Sequence, residues 1–513
     1  MEAVAFYRRA YPRPVEATNQ AILLGNLGNS LRSLGQVDEA IAAYTEAIAL
    51  DPSQSTLHIA LAETLLEARR TANAISCLTD VMMLPPFDEW QPQVQARCYG
   101  LLARAYGEEQ QYPASLLFTW LSNGGRINED DREGVSSLLK SLFRWGIGEP
   151  GQPACDYLLA KLNRNLGYFE AALHHAKRAV KAQPDRAEHF LELGASLMMQ
   201  DKLPVALEAF EEAEALAPDR GEVHALRALA LWELDAELAK EAIAEAIRLE
   251  PNQALHHCDL AYMHQAEGDE ALAQEAFQTA LLLNEDAPVI YGPHGPATHR
   301  GCYSDVIEPF LAENANSPEA ATRLLTAANF LILSRRPETA RKALHRLLSE
   351  QPTHLDALRN YAWLLMRQGF TQEALSIWRK VIMIAPEDDI SRYFALSTLA
   401  STGLEGKHAV IRELDLTLAQ RPDYHLGRLL LAKLVEPAPE ALLHLEMLCA
   451  KLPNLHTPWY CRGQSHFHRG EHDEAAAALE RSVKLHSCFP PARQLLAQVY
   501  QQLGHEAKAH VEL

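Results

Sequence analysis

Residues 24–52 carry a pattern of large and small apolar positions that predicts two closely packed helices. Helices that cross closely need small residues where the backbones meet and large residues beside the crossing. One such pair leaves apolar surface that only a neighbouring pair can bury, so the pattern also predicts a stack of pairs. The large positions are Leu24, Leu27, Leu31 and Tyr44, the small ones are Gly28, Ala40 and Ala47, and Pro52 closes the unit.

The same pattern recurs along most of the chain at a nearly constant period. Pro184 and Pro218 are 34 residues apart, Pro218 and Pro251 are 33 apart, and Pro352 and Pro386 are 34 apart. Each proline stops a helix because it has no backbone N–H to continue it. The spacing therefore predicts a repeat whose unit is a helix, a turn and a second helix.

Gly28, Ala40, Tyr44 and Pro52 give the unit the form of a known repeat. The chain resembles the tetratricopeptide repeat family on these positions. The resemblance implies an all-α, right-handed superhelical solenoid of about thirteen units, with two or three of them degenerate. It also implies that the first helix of each unit lines a concave groove, which holds peptides or partner proteins.

The pattern is not uniform, and its quality predicts the organisation of the chain. Residues 288–301 contain three prolines and three glycines, which exclude a helix where a groove-lining first helix is due. We expect this loop to gate the groove or to contribute to it. The predicted segments are an N-terminal capping half-repeat (1–19), repeats (20–86), degenerate helical repeats (87–152), repeats (153–285), a degenerate repeat with a loop replacing its first helix (286–318), and repeats with a C-terminal cap (319–513).

Composition narrows the class of partner and of compartment. The 47 basic and 67 acidic residues give a formal charge of −20, which argues against nucleic acid as the partner. The acidic surface either favours a basic partner or only keeps the chain dissolved. No apolar run is long enough to cross a membrane. The eight cysteines are scattered without a CxxC pair, so we expect a reducing, cytoplasmic location. The oligomeric state stays open.

Inward-facing positions of the repeats supply the candidate binding residues. Asn26 and Asn29 resemble the asparagine pair with which the repeat arm of O-linked N-acetylglucosamine transferases grips a peptide backbone, and Asn329 and Asn360 are isolated echoes. An amide donates and accepts at once, which suits a sequence-tolerant grip on an extended chain. Large residues at later inward positions either anchor apolar side chains of a partner or pack against the next repeat. The candidate groove residues are Asn26, Asn29, Met198, Trp232, Tyr262, Asn329, Arg359, Trp363, Met366, Arg367, Gln464 and Phe467, and the candidate loop residues are Tyr291, His294, His299 and Arg300.

Enzyme signatures are missing from the sequence. It contains no HExxH, no nucleophile elbow and no dinucleotide fingerprint, so we expect no catalytic residue, no cofactor and no metal. We therefore interpret the chain as a non-enzymatic scaffold for a protein or peptide partner. Two alternatives remain. In the first alternative, His294, His299 and Cys302 bind a metal ion. In the second, the chain is the recognition arm of a glycosyl- or sulfotransferase whose catalytic part lies elsewhere.

Overall fold

The computed structural model contains helices throughout the part of the chain that it describes. That part contains 24 α-helices and no strand. The predicted all-α repeat solenoid is confirmed. The described residues are 17–51, 54–82, 92–109, 118, 153–166, 168–232, 234–292, 318–333, 337–486 and 489–505.

The helices follow one another with short connections, and most are 11 to 17 residues long. The first thirteen are α1 (Ala17–Ser33), α2 (Val37–Leu50), α3 (Ser55–Glu67), α4 (Thr71–Met82), α5 (Pro92–Glu108), α6 (Pro153–Leu166), α7 (Phe169–Ala182), α8 (Ala187–Met198), α9 (Leu203–Leu216), α10 (Gly221–Leu231), α11 (Ala236–Leu249), α12 (Ala254–Glu267) and α13 (Glu270–Leu283). The others are α14 (Pro318–Leu333), α15 (Pro337–Glu350), α16 (Leu355–Arg367), α17 (Thr371–Ile384), α18 (Asp389–Ala400), α19 (Leu404–Gln420), α20 (His425–Val435), α21 (Pro439–Lys451), α22 (His456–His468), α23 (His472–Leu485) and α24 (Pro490–Gln502).

Small residues allow the two helices of a pair to touch. A Cβ atom added at Gly28 would lie 2.6 Å from the Tyr44 ring, and one added at Gly194 would lie 2.4 Å from the Phe210 ring. Both distances are shorter than van der Waals contact, so only glycine fits at these crossings. Gly35 ends α1 with a φ of 76°, a left-handed conformation that glycine adopts without strain.

The described residues form two compact units. The first contains the described residues of 17–118, 153–155 and 462–505, and the second contains those of 156–461. The core of the second unit includes Phe277, Tyr291 and Trp378, all of them buried.

Distant parts of the second unit contact one another directly. The Lys433 ammonium lies 2.8 Å from the Glu285 carboxylate, although 148 residues separate them in sequence. The Thr457 hydroxyl donates to the Leu283 carbonyl at 3.1 Å, and the His456 N–H donates to Asn252 Oδ1 at 3.1 Å. These contacts bring the turn before α12 and the end of α13 to α20 and to the first residues of α22.

Several predicted segments lie wholly or partly outside the described residues. They include most of the cap at 1–19, most of the degenerate region at 87–152, and the end of the C-terminal cap. In the interrupted repeat, residues 284–292 are described and contain no helix.

Candidate functional site

A cleft of about 550 Å³ opens between α1, α3 and α5 in the first unit. These are the first helices of consecutive pairs, which the repeat pattern places on the inner side. Asn26 and Asn29 line the cleft from α1, Glu63 from α3, and Arg97 from α5. The structure therefore brings the predicted asparagine pair into one concavity.

The two asparagines offer their amides to the cleft in different ways. The Tyr44 hydroxyl donates to Asn29 Oδ1 at 2.7 Å, which fixes that amide. Burial raises the pKa of Tyr44 to about 12, so its hydroxyl remains a donor at neutral pH. Asn26 Nδ2 is buried and has no hydrogen-bond partner among the described residues. A buried donor without a partner is costly, so a ligand that accepts from Asn26 would stabilise the site.

Charged side chains form a network of ion pairs along the same cleft. Arg32 donates to Glu63 at 3.0 Å and to Glu67 at 3.0 Å, and Arg97 donates to Glu63 at 3.1 Å. The hydrogen bond from Arg32 lowers the pKa of Glu67. Glu63 is therefore shared by two arginines, and the Arg97 side chain keeps 60% of its surface exposed.

Another candidate residue, Tyr291, is held in the second unit by two asparagines. Its backbone N–H donates to Asn360 Oδ1 at 2.8 Å. Its carbonyl accepts from Asn360 Nδ2 at 2.8 Å and from Asn329 Nδ2 at 3.0 Å. Asn360 Nδ2 also donates to Asn329 Oδ1 at 2.7 Å, which fixes both amides. The two asparagines thus grip a backbone, and that backbone belongs to the chain itself.

The Tyr291 ring occupies a pocket of defined chemistry. The Arg359 guanidinium lies 4.3 Å from the ring centroid, and the Phe277 ring lies 5.7 Å from it on centroids. Arg359 Nε donates to Asp388 Oδ2 at 2.7 Å, so the guanidinium is held in place. Burial raises the pKa of Tyr291 well above its usual value, and its hydroxyl has no hydrogen-bond partner among the described residues.

Most other candidate groove residues pack against neighbouring helices. Met198 is buried in the core, and Tyr262 is buried with its hydroxyl donating to the Pro288 carbonyl of the chain itself. Asn329 and Arg359 are also buried. Asn329 donates to the Tyr291 carbonyl, and Arg359 lies over the Tyr291 ring. The half-buried candidates are Trp232, Trp363, Met366, Gln464 and Phe467.

The remaining candidates are Arg367, which the structure describes, and three loop residues, which lie outside the described part of the chain. Arg367 is exposed, and its guanidinium lies 5.9 Å from the Trp363 ring centroid. His294, His299 and Arg300 lie outside the described residues, as does Cys302 of the alternative metal site.

Sequence reasoning left several of the contacting residues out of the candidate set. Arg32, Glu63 and Arg97 reach the first cleft from three helices, and no local motif joins them. Asn360 is 31 residues from Asn329, close to one repeat period, which was the available signal. Asp388 positions Arg359, and only the packing of α16 beside the turn before α18 brings them together.

One group of three potential metal ligands occurs among the described residues. It consists of His264, Glu267 and Asp269, whose ligand atoms lie within 4.8 Å of one another. The Lys240 ammonium lies 2.9 Å from Glu267, so a cation already neutralises one of the carboxylates. The group therefore carries no assignment as a metal site.

Models of known protein families match three parts of the chain. A model described as "TPR repeat" matches residues 28–68, and two described as "Tetratricopeptide repeat" match residues 157–221 and 331–399. The chain is a tetratricopeptide-repeat protein. The matched regions include the α1–α2 crossing at Gly28 and the α16 residues that contact Tyr291. The tetratricopeptide-repeat fold generally serves protein interaction rather than catalysis.

Individual relatives are distant. The human "Protein O-mannosyl-transferase TMTC1" is 23% identical to this tetratricopeptide-repeat protein over 240 residues, which is 47% of this chain. The matched region spans only 22% of that relative's length. None of the described helices is both long enough and apolar enough to span a bilayer.

Several solved structures are similar to this chain at low identity and low TM-score. A chain of the Cut9–Hcn1 hetero-tetramer of the APC/C is 15% identical, with 96% of this chain and 93% of that one covered, at a TM-score of 0.35. MamA from Desulfovibrio magneticus RS-1 is 23% identical over 36% of this chain and 97% of that one, at a TM-score of 0.28. YrrB, "a TPR protein with an unusual peptide-binding site", is 18% identical over 49% and 95%, at a TM-score of 0.20.

Proposed function

We propose that the chain is a non-enzymatic adaptor that holds an extended peptide segment of a partner protein in the cleft between α1, α3 and α5. The observation that carries the proposal is the buried Asn26 Nδ2, a donor without a partner at the wall of a cleft of about 550 Å³. An extended peptide presents carbonyl oxygens at regular intervals, and one of them would satisfy this donor. Asn29, one helical turn further on, supplies a second amide that Tyr44 already orients.

The charges of the cleft refine the kind of segment that it suits. Arg32 and Arg97 line the cleft, and the carboxylates of Glu63 and Glu67 are already bound to these arginines. A strongly basic segment would gain little attraction there, in spite of the net charge of −20 on the whole chain. A neutral segment, or one with an acidic side chain within reach of Arg97, fits this arrangement best.

Three buried cysteines support a cytoplasmic location as part of the same proposal. Cys98, Cys258 and Cys461 are free thiols in the structure. Free thiols persist in a reducing compartment.

A selection of peptide ligands with the purified chain tests the proposed cleft. Peptides selected on the wild type are measured by fluorescence anisotropy against the Asn26→Ala/Asn29→Ala variant. Losing two hydrogen bonds to the peptide backbone corresponds to roughly tenfold or more in affinity. Asn73→Ala is the matched control, because Asn73 is exposed on α4, the second helix of its pair. Equal affinity of the double variant and the wild type would remove the cleft from consideration.

A second candidate function rests on the match to the human O-mannosyl-transferase. Under this alternative the repeats are the substrate-recognition arm or a subunit of a glycosyl- or sulfotransferase-type enzyme, with the catalytic part elsewhere. Affinity capture from the source cell separates the two. Capture of a transferase that still binds the Asn26→Ala/Asn29→Ala variant supports the arm, since the enzyme would then dock outside the substrate cleft. Capture of no transferase argues against it.

A further inference from the structure

Residues 288–291 lie in the second unit as an extended peptide lies in a binding groove. The Tyr262 hydroxyl donates to the Pro288 carbonyl, and Asn360 and Asn329 hold the N–H and C=O of Tyr291. These contacts come from side chains of α12, α14 and α16, and no helix forms over the segment. Side-chain amides that satisfy both backbone groups of one residue are a means of holding an extended chain without reading its whole sequence.

The same groove selects the side chain at position 291. Arg359 lies 4.3 Å from the Tyr291 ring centroid and is held by Asp388, and Phe277 packs on the ring at 5.7 Å. A cation over the face of the ring and an aromatic neighbour favour an aromatic residue at this position.

The residue after the tyrosine is selected as well. Gly292 has a φ of 151°, and a Cβ atom there would lie 2.9 Å from Asn329 Nδ2. An aromatic residue followed by glycine is therefore the part of the segment that fits the groove most specifically.

Two acidic residues precede the segment, and basic residues face both. Glu285 pairs with Lys433 at 2.8 Å, and Asp286 pairs with Arg367. Both carboxylates keep 60% of their side-chain surface exposed. Exposed ion pairs are weak, so they guide the segment to its place without locking it there.

We infer that this groove is a second peptide-binding site, which the chain fills with its own residues 285–292 and which accepts a partner segment of the same chemistry. That segment has acidic residues first, then aliphatic residues, and then an aromatic residue followed by glycine. The partner segment competes with the internal segment. The partner's apparent affinity is therefore its intrinsic affinity multiplied by the fraction of molecules in which the groove is empty. The unpaired Tyr291 hydroxyl makes the internal segment an imperfect occupant. This inference does not depend on the cleft of the first unit.

A labelled peptide with the sequence of residues 285–292 tests the site in trans. Tyr291→Ala removes the ring that anchors the internal segment, so this variant is expected to bind the peptide about tenfold or more tightly than the wild type. Tyr291→Phe is the matched control, because it keeps the ring and is expected to bind no better than the wild type. Adding Asn360→Ala to Tyr291→Ala is expected to abolish the gain. A helical Tyr291→Ala protein that binds the peptide no better than the wild type overturns the inference.

Hydrogen exchange of the wild-type protein provides a test that needs no variant. Excess free peptide is expected to increase the exchange of residues 287–292 and to leave α14 and α16 protected. Unchanged exchange at saturating peptide overturns the inference. A wild-type dimer that dissociates in Tyr291→Ala also overturns it, because the groove would then exchange segments between two copies of this chain.

Discussion

The backbone N–H of Tyr291 donates to Asn360 Oδ1 at 2.8 Å across 69 residues of chain. Both groups are buried, and the Asn360 nitrogen returns a hydrogen bond to the Tyr291 carbonyl. A single amide therefore satisfies both backbone groups of a residue that has no helix or strand to satisfy them. This arrangement links the interrupted repeat to the intact repeat that contains α16.

Replacing Asn360 by Ala should cost more stability than replacing Asn329 by Ala. Asn360 serves the N–H and the C=O of Tyr291, whereas Asn329 serves only the C=O. Leaving a buried N–H without a partner costs about 1–3 kcal/mol, and the carbonyl in Asn329→Ala keeps its other donor. Urea denaturation of both variants checks the order. Equal losses would mean that the Tyr291 N–H finds another acceptor.

Replacing Arg359 by Met should destabilise the second unit by about 3 kcal/mol or more, because it leaves a buried charge unpaired. Arg359 and Asp388 are 4% and 2% exposed, and two guanidinium nitrogens reach the same carboxylate oxygen. The loss is measured as the free energy of unfolding in urea. Asp388→Asn in the Met background is the control and should recover part of it, since the unpaired charge is removed. Additive losses in this double-mutant cycle would contradict a direct coupling.

Adding one methyl group at Gly194 should destabilise the α8–α9 pair. The new Cβ of Gly194→Ala lies 2.4 Å from the Phe210 ring, and overpacking of this kind costs about 1–3 kcal/mol. The midpoint of thermal unfolding should fall accordingly. Phe210→Leu in the same background should restore part of the loss by removing the clashing ring. An unchanged midpoint in Gly194→Ala would show that the ring moves aside freely.

Stability should fall as the pH drops below about 6.5, in part because of His189. Burial lowers the pKa of His189, and its Nε2 is buried without a partner among the described residues. In the window between this lowered pKa and about 6.5 the unfolded chain binds a proton that the folded chain refuses, so acid favours unfolding. Above that window the contribution is complete. Burial also lowers the pKa of His257, which acts in the same direction.

The variant His189→Phe isolates the contribution of His189. It keeps an aromatic ring and removes the titration, so the difference between its unfolding free energies at pH 7.5 and 5.5 should be smaller than in the wild type. A constant offset at all pH values would show only the lost hydrogen bond to the Gln183 carbonyl. An unchanged difference between the two pH values would exclude His189 as a source of the acid sensitivity.

The sequence by itself determined the repeat and its local geometry. The sequence predicted the close contacts of Gly28 with Tyr44 and of Gly194 with Phe210. It could do so because residue size at a helix crossing is fixed within one unit of about 34 residues. The prolines and glycines of 288–301 likewise predict that no helix forms there, since each acts on its own backbone. These effects are local or periodic, and a periodic pattern is visible in a single sequence.

Only the tertiary structure decided which inward-facing residues are available to a partner. Inward-facing asparagines differ in whether their amides are already hydrogen-bonded. Asn26 has an unpaired donor at a cleft, whereas Asn329 and Asn360 bind the backbone of Tyr291. Met198 and Tyr262 share the inward register and are nevertheless buried in the core. The period fixes the side of a helix that a residue occupies. The contacts of Lys433 with Glu285 and of Asn360 with Tyr291 depend instead on how successive pairs stack, which accumulates over many units and leaves no mark on any one of them.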